Sequence, residues 1–289
     1  MRRTWIPLLA LLAALPAHAA KFKASKATGN ELVACLSDQK PDIQERCLDE
    51  IADRRLTQAS AQVAELAVGS RSGDVRHQAL ATLERLGGTE LVPTAHQAAL
   101  TDSEVRNRQK ALRLIELYGG TDSQDVVGQV IAEDVDATTR RKAVLIASKK
   151  GMSDLEPLLL TQGMKDPDPQ VALESAKAVV LFGNPDSRPA VHAQMLEHPD
   201  ERTREWIIRA VETSPMPLDQ DALVQALDDP HPHSARHAAR ALKKLGDPAV
   251  APILRDKAMS ASDPAVAQEF SAAAEHLELM AHGQDDGGI

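Results

Sequence analysis

The residues whose types and spacing could do chemistry fall into three sets. His231, His233 and His237 crowd one short stretch, just behind Asp228 and Asp229. His233 and His237 are four apart and share one helix face, the spacing of helical zinc ligands. They make a weak metal candidate, because no glutamate base follows the pair and His237 directly follows Arg236. Surface or capping histidines are the simpler account. Cys35 and Cys47, the only two cysteines, form the second set. The third is periodic. Arg76, Arg108, Arg140, Arg204 and Arg236 keep one register of 32 residues, interrupted only by Ala172. Asp102, Asp134 and Asp166 lie six residues before that arginine position. Each ion alone could suggest an active site. No G-x-S-x-G, P-loop or haem C-x-x-C-H accompanies them. The expectation is no catalytic residue, no cofactor, and a balance leaning away from an enzyme.

The period says what must position these side chains. Gly87, Gly119, Gly151 and Gly183 are each 32 apart; the next steps reach Pro215 and then Asp247, beside Gly246. Pro93, Pro157 and Pro189 keep the same phase. Each unit resolves into two helices. Leu91–Leu100 reads as a short helix with Pro93 in its first turn. Thr101-Asp102-Ser103 is a turn that supplies an N-cap. Glu104–Tyr118 reads as a longer helix with Ala111, Leu112, Leu114 and Ile115 on one face, ended by Gly119-Gly120. The chain has 289 residues, enough for a sizeable core, yet aromatics are only 2%. That scarcity argues against an all-β fold. The expected fold is all-α: a right-handed α-solenoid of about eight antiparallel helix pairs. One pair cannot bury its apolar face alone, so neighbours stack into a continuous core. Small residues at Ala79, Ala111, Ala143, Ser175 and Ala239 let the helices approach closely.

The segments VPTAHQAALTDSEVRNRQKALRLIELYGG and LDDPHPHSARHAARALKKLGDPAVAPIL resemble HEAT repeats, and most of all the short, phycobilisome-lyase-like variety. The resemblance covers roughly residues 57–282, with a divergent first pair at 28–56. It implies that the arginine and aspartate registers form an inter-repeat ladder, with Asp at the turn and Arg on the second helix. It implies little about function, since such repeats occur in bilin lyases, deoxyhypusine hydroxylase, DNA glycosylases and adaptors. The His-Glu pairs of deoxyhypusine hydroxylase are absent, for Glu275-His276 has the reverse order.

Met1 to Ala20 reads as an address. Arg2 and Arg3 precede an apolar run from Trp5 to Leu15, and Ala17-His18-Ala19 offers a cleavage site. Residues 1–19 are expected to be a signal peptide, 20–27 a short linker, 28–282 one solenoid domain and 283–289 a disordered tail. Cleavage near Ala19 would give a periodic array in the periplasm or outside the cell, with 31 basic and 42 acidic residues, a charge of −11. No other stretch is apolar enough to span a membrane. In that oxidising compartment a lone cysteine pair on two short antiparallel helices, joined around Ser37 to Lys40, points to a disulfide. Two free buried thiols are the alternative.

Counting from the ladder arginine, second-helix positions +3, +4, +6 and +7 face the core. Positions +1, +2, +5 and +8 face outward and carry Lys110, Arg113, Arg141, Lys142, Glu174, Lys177, Glu205, Trp206 and Arg209. This mainly basic stripe is either an ordinary solvated face or a groove for an anionic partner. Trp206, with Arg202 and Arg209 nearby, is either packed between repeats or an interface anchor. Three functions follow. The leading one is a non-catalytic interaction scaffold or adaptor of the bacterial cell envelope, binding a protein along the concave face through Trp206, Arg202, Arg209, Lys177, Lys142 and Lys110. The second is an enzyme resembling the HEAT-like lyases and hydroxylases, with a concave-face site. The third is a binder of an anionic polymer; net acidity and scarce aromatics argue against nucleic acid. A monomer is expected.

Overall fold

The computed structural model describes residues 23–285, with side chains described through Ala281. The signal-peptide reading and the last residues of the expected tail lie outside that range. Among the described residues there are sixteen α-helices and no strand. They pair as α1 (Gly29–Cys35) with α2 (Pro41–Asp53), α3 (Ser60–Gly69) with α4 (Gly73–Leu86), and α5 (Val92–Thr101) with α6 (Val105–Tyr118). Then come α7 (Gln124–Glu133) with α8 (Ala137–Lys149), α9 (Glu156–Thr161) with α10 (Pro169–Phe182), and α11 (Arg188–Glu197) with α12 (Glu201–Thr213). Last are α13 (Gln220–Ala226) with α14 (Pro232–Leu245), and α15 (Ala251–Ser260) with α16 (Pro264–Asp285). The molecule is an all-α solenoid of helix pairs.

From the second pair on, a 3-10 turn leads into every first helix, at Thr57–Ala59, Thr89–Leu91, Thr121–Ser123, Ser153–Leu155, Pro185–Ser187, Pro217–Asp219 and Pro248–Val250. Several second helices start on side-chain caps: Ser72 accepts from the Val75 N–H, Asp136 from Thr139, Asp168 from Gln170 and Val171, and Asp200 from Thr203. The helix α6 does not: its N-cap is Glu104, which makes no side-chain cap bond, and Asp102, expected to cap it, is taken by Arg76. Such caps satisfy amides that have no partner inside the helix. Gly183 and Gly246 end their helices in the left-handed region, at φ +72° and +76°. Gly119 does not, at φ −70°. It is needed for space instead, since a Cβ there would sit 2.7 Å from the Ile115 carbonyl oxygen.

The small residues are where close approach requires them: Ala79, Ala111, Ala143, Ser175 and Ala239 are all fully buried. Positions +3, +4, +6 and +7 of α6, filled by Ala111, Leu112, Leu114 and Ile115, are buried too. Second helices pack on one another more extensively than first helices do, and α9, a helix of only six residues, makes little contact with the first helices on either side. The array therefore curves with the second helices inside. At its start, Cys35 and Cys47 form a disulfide between α1 and α2. Residues 24–27, part of the expected linker, are tied down: Arg54 donates to the carbonyls of Ala24, Ser25 and Ala27.

Polar seams lock the joints. Arg76 grips Asp102 of the next pair through two hydrogen bonds of 2.7 and 2.9 Å. Arg108 grips Asp134 at 2.7 and 2.8 Å, and Arg140 grips Asp166 at 2.7 Å twice. Each arginine also donates to a carbonyl six residues back in its own turn, those of Ser70, Asp102 and Asp134. Each aspartate in turn accepts the backbone N–H two residues on. Arg204 repeats the pattern with Asp229, a residue outside the aspartate register because its loop is one residue shorter. The rung that would start at Ala172 lacks both members, for the aspartate position in the next pair is His198. Arg236, placed in the ladder by register, makes no rung. With the loop one residue shorter, the ladder position of α14 falls on buried Ala235, and Arg236 stands one place outward of it, with Glu269 at 3.9 Å as its nearest carboxylate.

A second seam links the outer helices. Gln124 donates to Asp154, Asn184 to Glu156, and Gln220 to Asp247. The deepest link is ionic: Arg188, 1% exposed, lies 3.3 Å from fully buried Asp219, which also meets His192 at 2.7 Å.

Burial works against the charge on Asp102, but hydrogen bonds from Arg76, the Glu104 N–H and Asn107 outweigh it and hold the carboxyl below its usual range. Asp166 is lowered in the same way, with Arg140 outweighing burial. A carboxyl that binds its proton only at lower pH when folded contributes fully above its unfolded pKa, about pH 4. That contribution fades as the pH falls through the lower, folded value. Asp102→Asn leaves Arg76 facing an uncharged partner, and is expected to cost about 3 kcal/mol at neutral pH. The difference from the parent should shrink below about pH 4. Urea midpoints across pH 3 to 7 check both.

Candidate interaction surface on the second helices

The inner face is built from residues left over once the second helices have buried their cores. In α12, Ile207, Ile208 and Val211 are buried. The residue before Ile207 therefore sits at the core's edge, and Trp206 remains 38% exposed. Lys177 reaches over from α10 and places its Nζ 4.8 Å from the indole centroid. The Arg209 guanidinium lies 5.2 Å from the same ring. Leu181, 61% exposed, lines the same hollow with Ala210 and Thr213, a groove of about 290 Å³ between α10 and α12. Cation–π contacts of this kind contribute roughly 0.5–1 kcal/mol at exposed sites. They hold the ring upright without closing it off.

Of the residues expected to bind a partner, the structure brings together Trp206, Arg209 and Lys177. Arg202 is exposed one helical turn before Trp206 on α12. Lys110 and Lys142 lie in earlier repeats and are engaged. Lys110 is paired with Glu84. Lys142 donates to the Gln109 carbonyl at 2.8 Å, and burial pushes its ammonium below the usual lysine range.

The stripe is less basic than its cations suggest. Glu84, Glu116 and Glu212, all at position +8, face cations across or along the repeats. Arg113 lies 3.5 Å from Glu84 and 2.8 Å from Glu116, and Lys149 lies 2.6 Å from Glu116. Glu174 holds Arg141 at 3.6 Å and Lys177 at 3.3 Å. Hydrogen bonds from Lys149 and Arg113 hold the Glu116 carboxyl below its usual range. The shared +8 register of the glutamates was visible in the sequence; their pairing into the neighbouring repeat was not.

The histidines do not converge. His237 Nδ1 lies 2.5 Å from Glu212, and His231 Nδ1 lies 3.7 Å from Glu205. Glu205 and Glu212 are seven residues apart on α12, roughly 10 Å along its axis. One metal ion, with ligands at about 2 Å, cannot join the two pairs. His233 is exposed and stands beside the His231 ring, centroids 5.4 Å apart. Asp229 is occupied by Arg204, and Asp228 by Lys257. Among the described residues no group of three His, Cys, Asp or Glu is placed to hold a metal.

Residues 155–232, which include this groove, match the family described as HEAT repeats. The chain carries HEAT repeats. Among solved structures, YibA of Escherichia coli is similar at a TM-score of 0.56 and 18% identity, over 88% of this chain and 94% of its own. A Kap121p variant is similar at a TM-score of 0.60 and 13% identity, over 86% of this chain and 33% of its own. Kap121p bound to Pho4p is similar at 0.50 and 12%, over 88% and 38%. The CpcE–CpcF complex of phycocyanin lyase from Nostoc sp. PCC7120 reaches a TM-score of 0.43 and 15% identity, over 91% and 98%. The sequence has no match among curated proteins. At these identities the similarity shows the fold alone.

An edge-of-core tryptophan and a core isoleucine side by side give a direct check. Trp206→Ala is expected to change stability by less than about 1 kcal/mol. Ile207→Ala should cost about 3 kcal/mol through a cavity. Urea unfolding separates them; equal losses would make Trp206 a packing residue.

Proposed function

We propose that this protein is a non-catalytic interaction scaffold of the bacterial cell envelope, which binds a protein partner on the inner face of its HEAT array. The observation that carries this reading is the Trp206–Leu181 groove. A large aromatic is kept exposed there, between cations, where the equivalent residues of earlier repeats are Lys110, Lys142 and Glu174. Tryptophan flanked by arginine is a frequent interface anchor, because it offers wide apolar area at little cost in side-chain freedom. The Arg140–Asp166 and Arg204–Asp229 rungs hold each wall of the groove to the repeat beyond it, which limits the ordering cost of binding. An array of the same fold, Kap121p, holds the protein Pho4p.

The envelope location rests on the segment before Ala20 and on the Cys35–Cys47 disulfide, which fits an oxidising compartment. No helix among the described residues is long and apolar enough to cross a membrane.

The test is photo-cross-linking in the living bacterium. Benzoylphenylalanine replaces Leu181 in one strain and Val135, an exposed residue of the α7–α8 turn, in another. The full chain is recovered from the osmotic-shock fraction. The expected result is a discrete protein adduct from position 181, absent from position 135 and lost on Trp206→Ala. Adducts of equal yield from both positions, or none from 181, would overturn the assignment of this face.

A further inference from the structure

On the inner face, cations and carboxylates cancel at step after step. Lys110 and Arg113 meet Glu84, Lys149 meets Glu116, Arg141 meets Glu174, and Arg240 meets Glu269. Arg202 and Arg209 depart from this. Among the described residues neither has a carboxylate within 4.0 Å. They lie four residues before and three after Trp206, so all three share one face of α12. Two unneutralised guanidinium groups thus flank the most exposed aromatic of the array, with Leu181 across the groove.

We propose that the groove takes an acidic peptide segment of the partner, with an apolar side chain on Trp206 and Leu181 and one or two carboxylates on Arg209 and Arg202. This rests on the protein-binding reading above and adds the chemistry of the partner. A guanidinium matches a carboxylate with two parallel hydrogen bonds. Arg209 is already stacked on the indole, so it loses little freedom on binding. Lys177 is shared with Glu174 and contributes more to holding the ring than to receiving charge.

The surroundings limit what anion can bind. Glu174, Glu205 and Glu212 border the patch, on α10 and α12. The whole chain has a net charge of −9. A long polyanion would leave the arginines and run into these glutamates and the acidic field beyond. A short segment with its charges beside an apolar anchor does not. The groove volume of about 290 Å³ lies at the low end for ligand sites, which suits one or two side chains.

The experiment selects phage-displayed random decapeptides on the purified full chain, then titrates the winners by fluorescence anisotropy. Heparin serves as the polyanion probe. The expected winners combine Asp or Glu with an aromatic or aliphatic residue, are depleted in Lys and Arg, and lose binding on Trp206→Ala. Arg209→Gln should weaken them about tenfold, and should not weaken their Asn/Gln counterparts. Circular dichroism of each variant confirms that the array is intact. Basic or neutral winners, winners indifferent to Trp206, or no enrichment would overturn the proposal. So would heparin that binds through Arg209 more tightly than any peptide. In each of those cases cross-linking at position 181 can still succeed, so failure of the acidic-peptide chemistry is separable from failure of the binding face.

Discussion

A helix pair of this size has one apolar side and nothing of its own to cover it. Everything else follows from the need to stack, and to stack in one register. Apolar burial supplies the attraction, but alanine-rich faces can slide past one another at little cost. The Arg–Asp rungs remove that freedom. Each joins the second helix of one pair to the turn of the next by a two-pronged hydrogen bond, and the same arginine holds its own turn closed. Because both partners are nearly buried, breaking one leaves a charge with no solvent to receive it. The rung acts as a register pin more than as a source of stability.

The pins are not uniform. The Ala172 joint has none, since Ala172 and His198 stand where Arg and Asp would. There the outer layer is thin, because α9 has only six residues. The following joint is held from the other side, by buried Arg188 and Asp219. The groove with Trp206 lies between α10 and α12, across the unpinned joint. This joint lacks an Arg–Asp rung, keeps the Asn184–Glu156 link on its outer side, and presents an apolar surface beside two arginines that have no ion pair.

Much of this was legible in the chain. Gly87, Gly119, Gly151 and Gly183 marked the period, and the alternation of buried and exposed positions in α6 followed from Ala111, Leu112, Leu114 and Ile115. The cysteine pairing and the edge position of Trp206 were also readable. What escaped were contacts between repeats. The carboxylate of Glu84 cancels Lys110, 26 residues on, and no single helix shows that. Asp229 entered the ladder by losing one residue of loop, which a strict period of 32 hides. The same lost residue moved Arg236 out, because it puts buried Ala235 at the ladder position of its helix. The 3-10 turns escaped for another reason: Gly87 and Gly88, which precede Thr89 to Leu91, read equally well as the end of the helix before them.

The coupling of the unpinned joint to this surface is tested most directly by native-state hydrogen exchange along the full chain. Amides of α10 and α12 should open with a lower free energy than those of α6 and α8. Installing the missing rung, Ala172→Arg together with His198→Asp, should raise protection in α10 and α12 and leave α6 and α8 unchanged. Equal or greater protection at α10 and α12 in the parent, with no gain in the double variant, would contradict the claim that the Arg–Asp rungs set the rigidity of the joints.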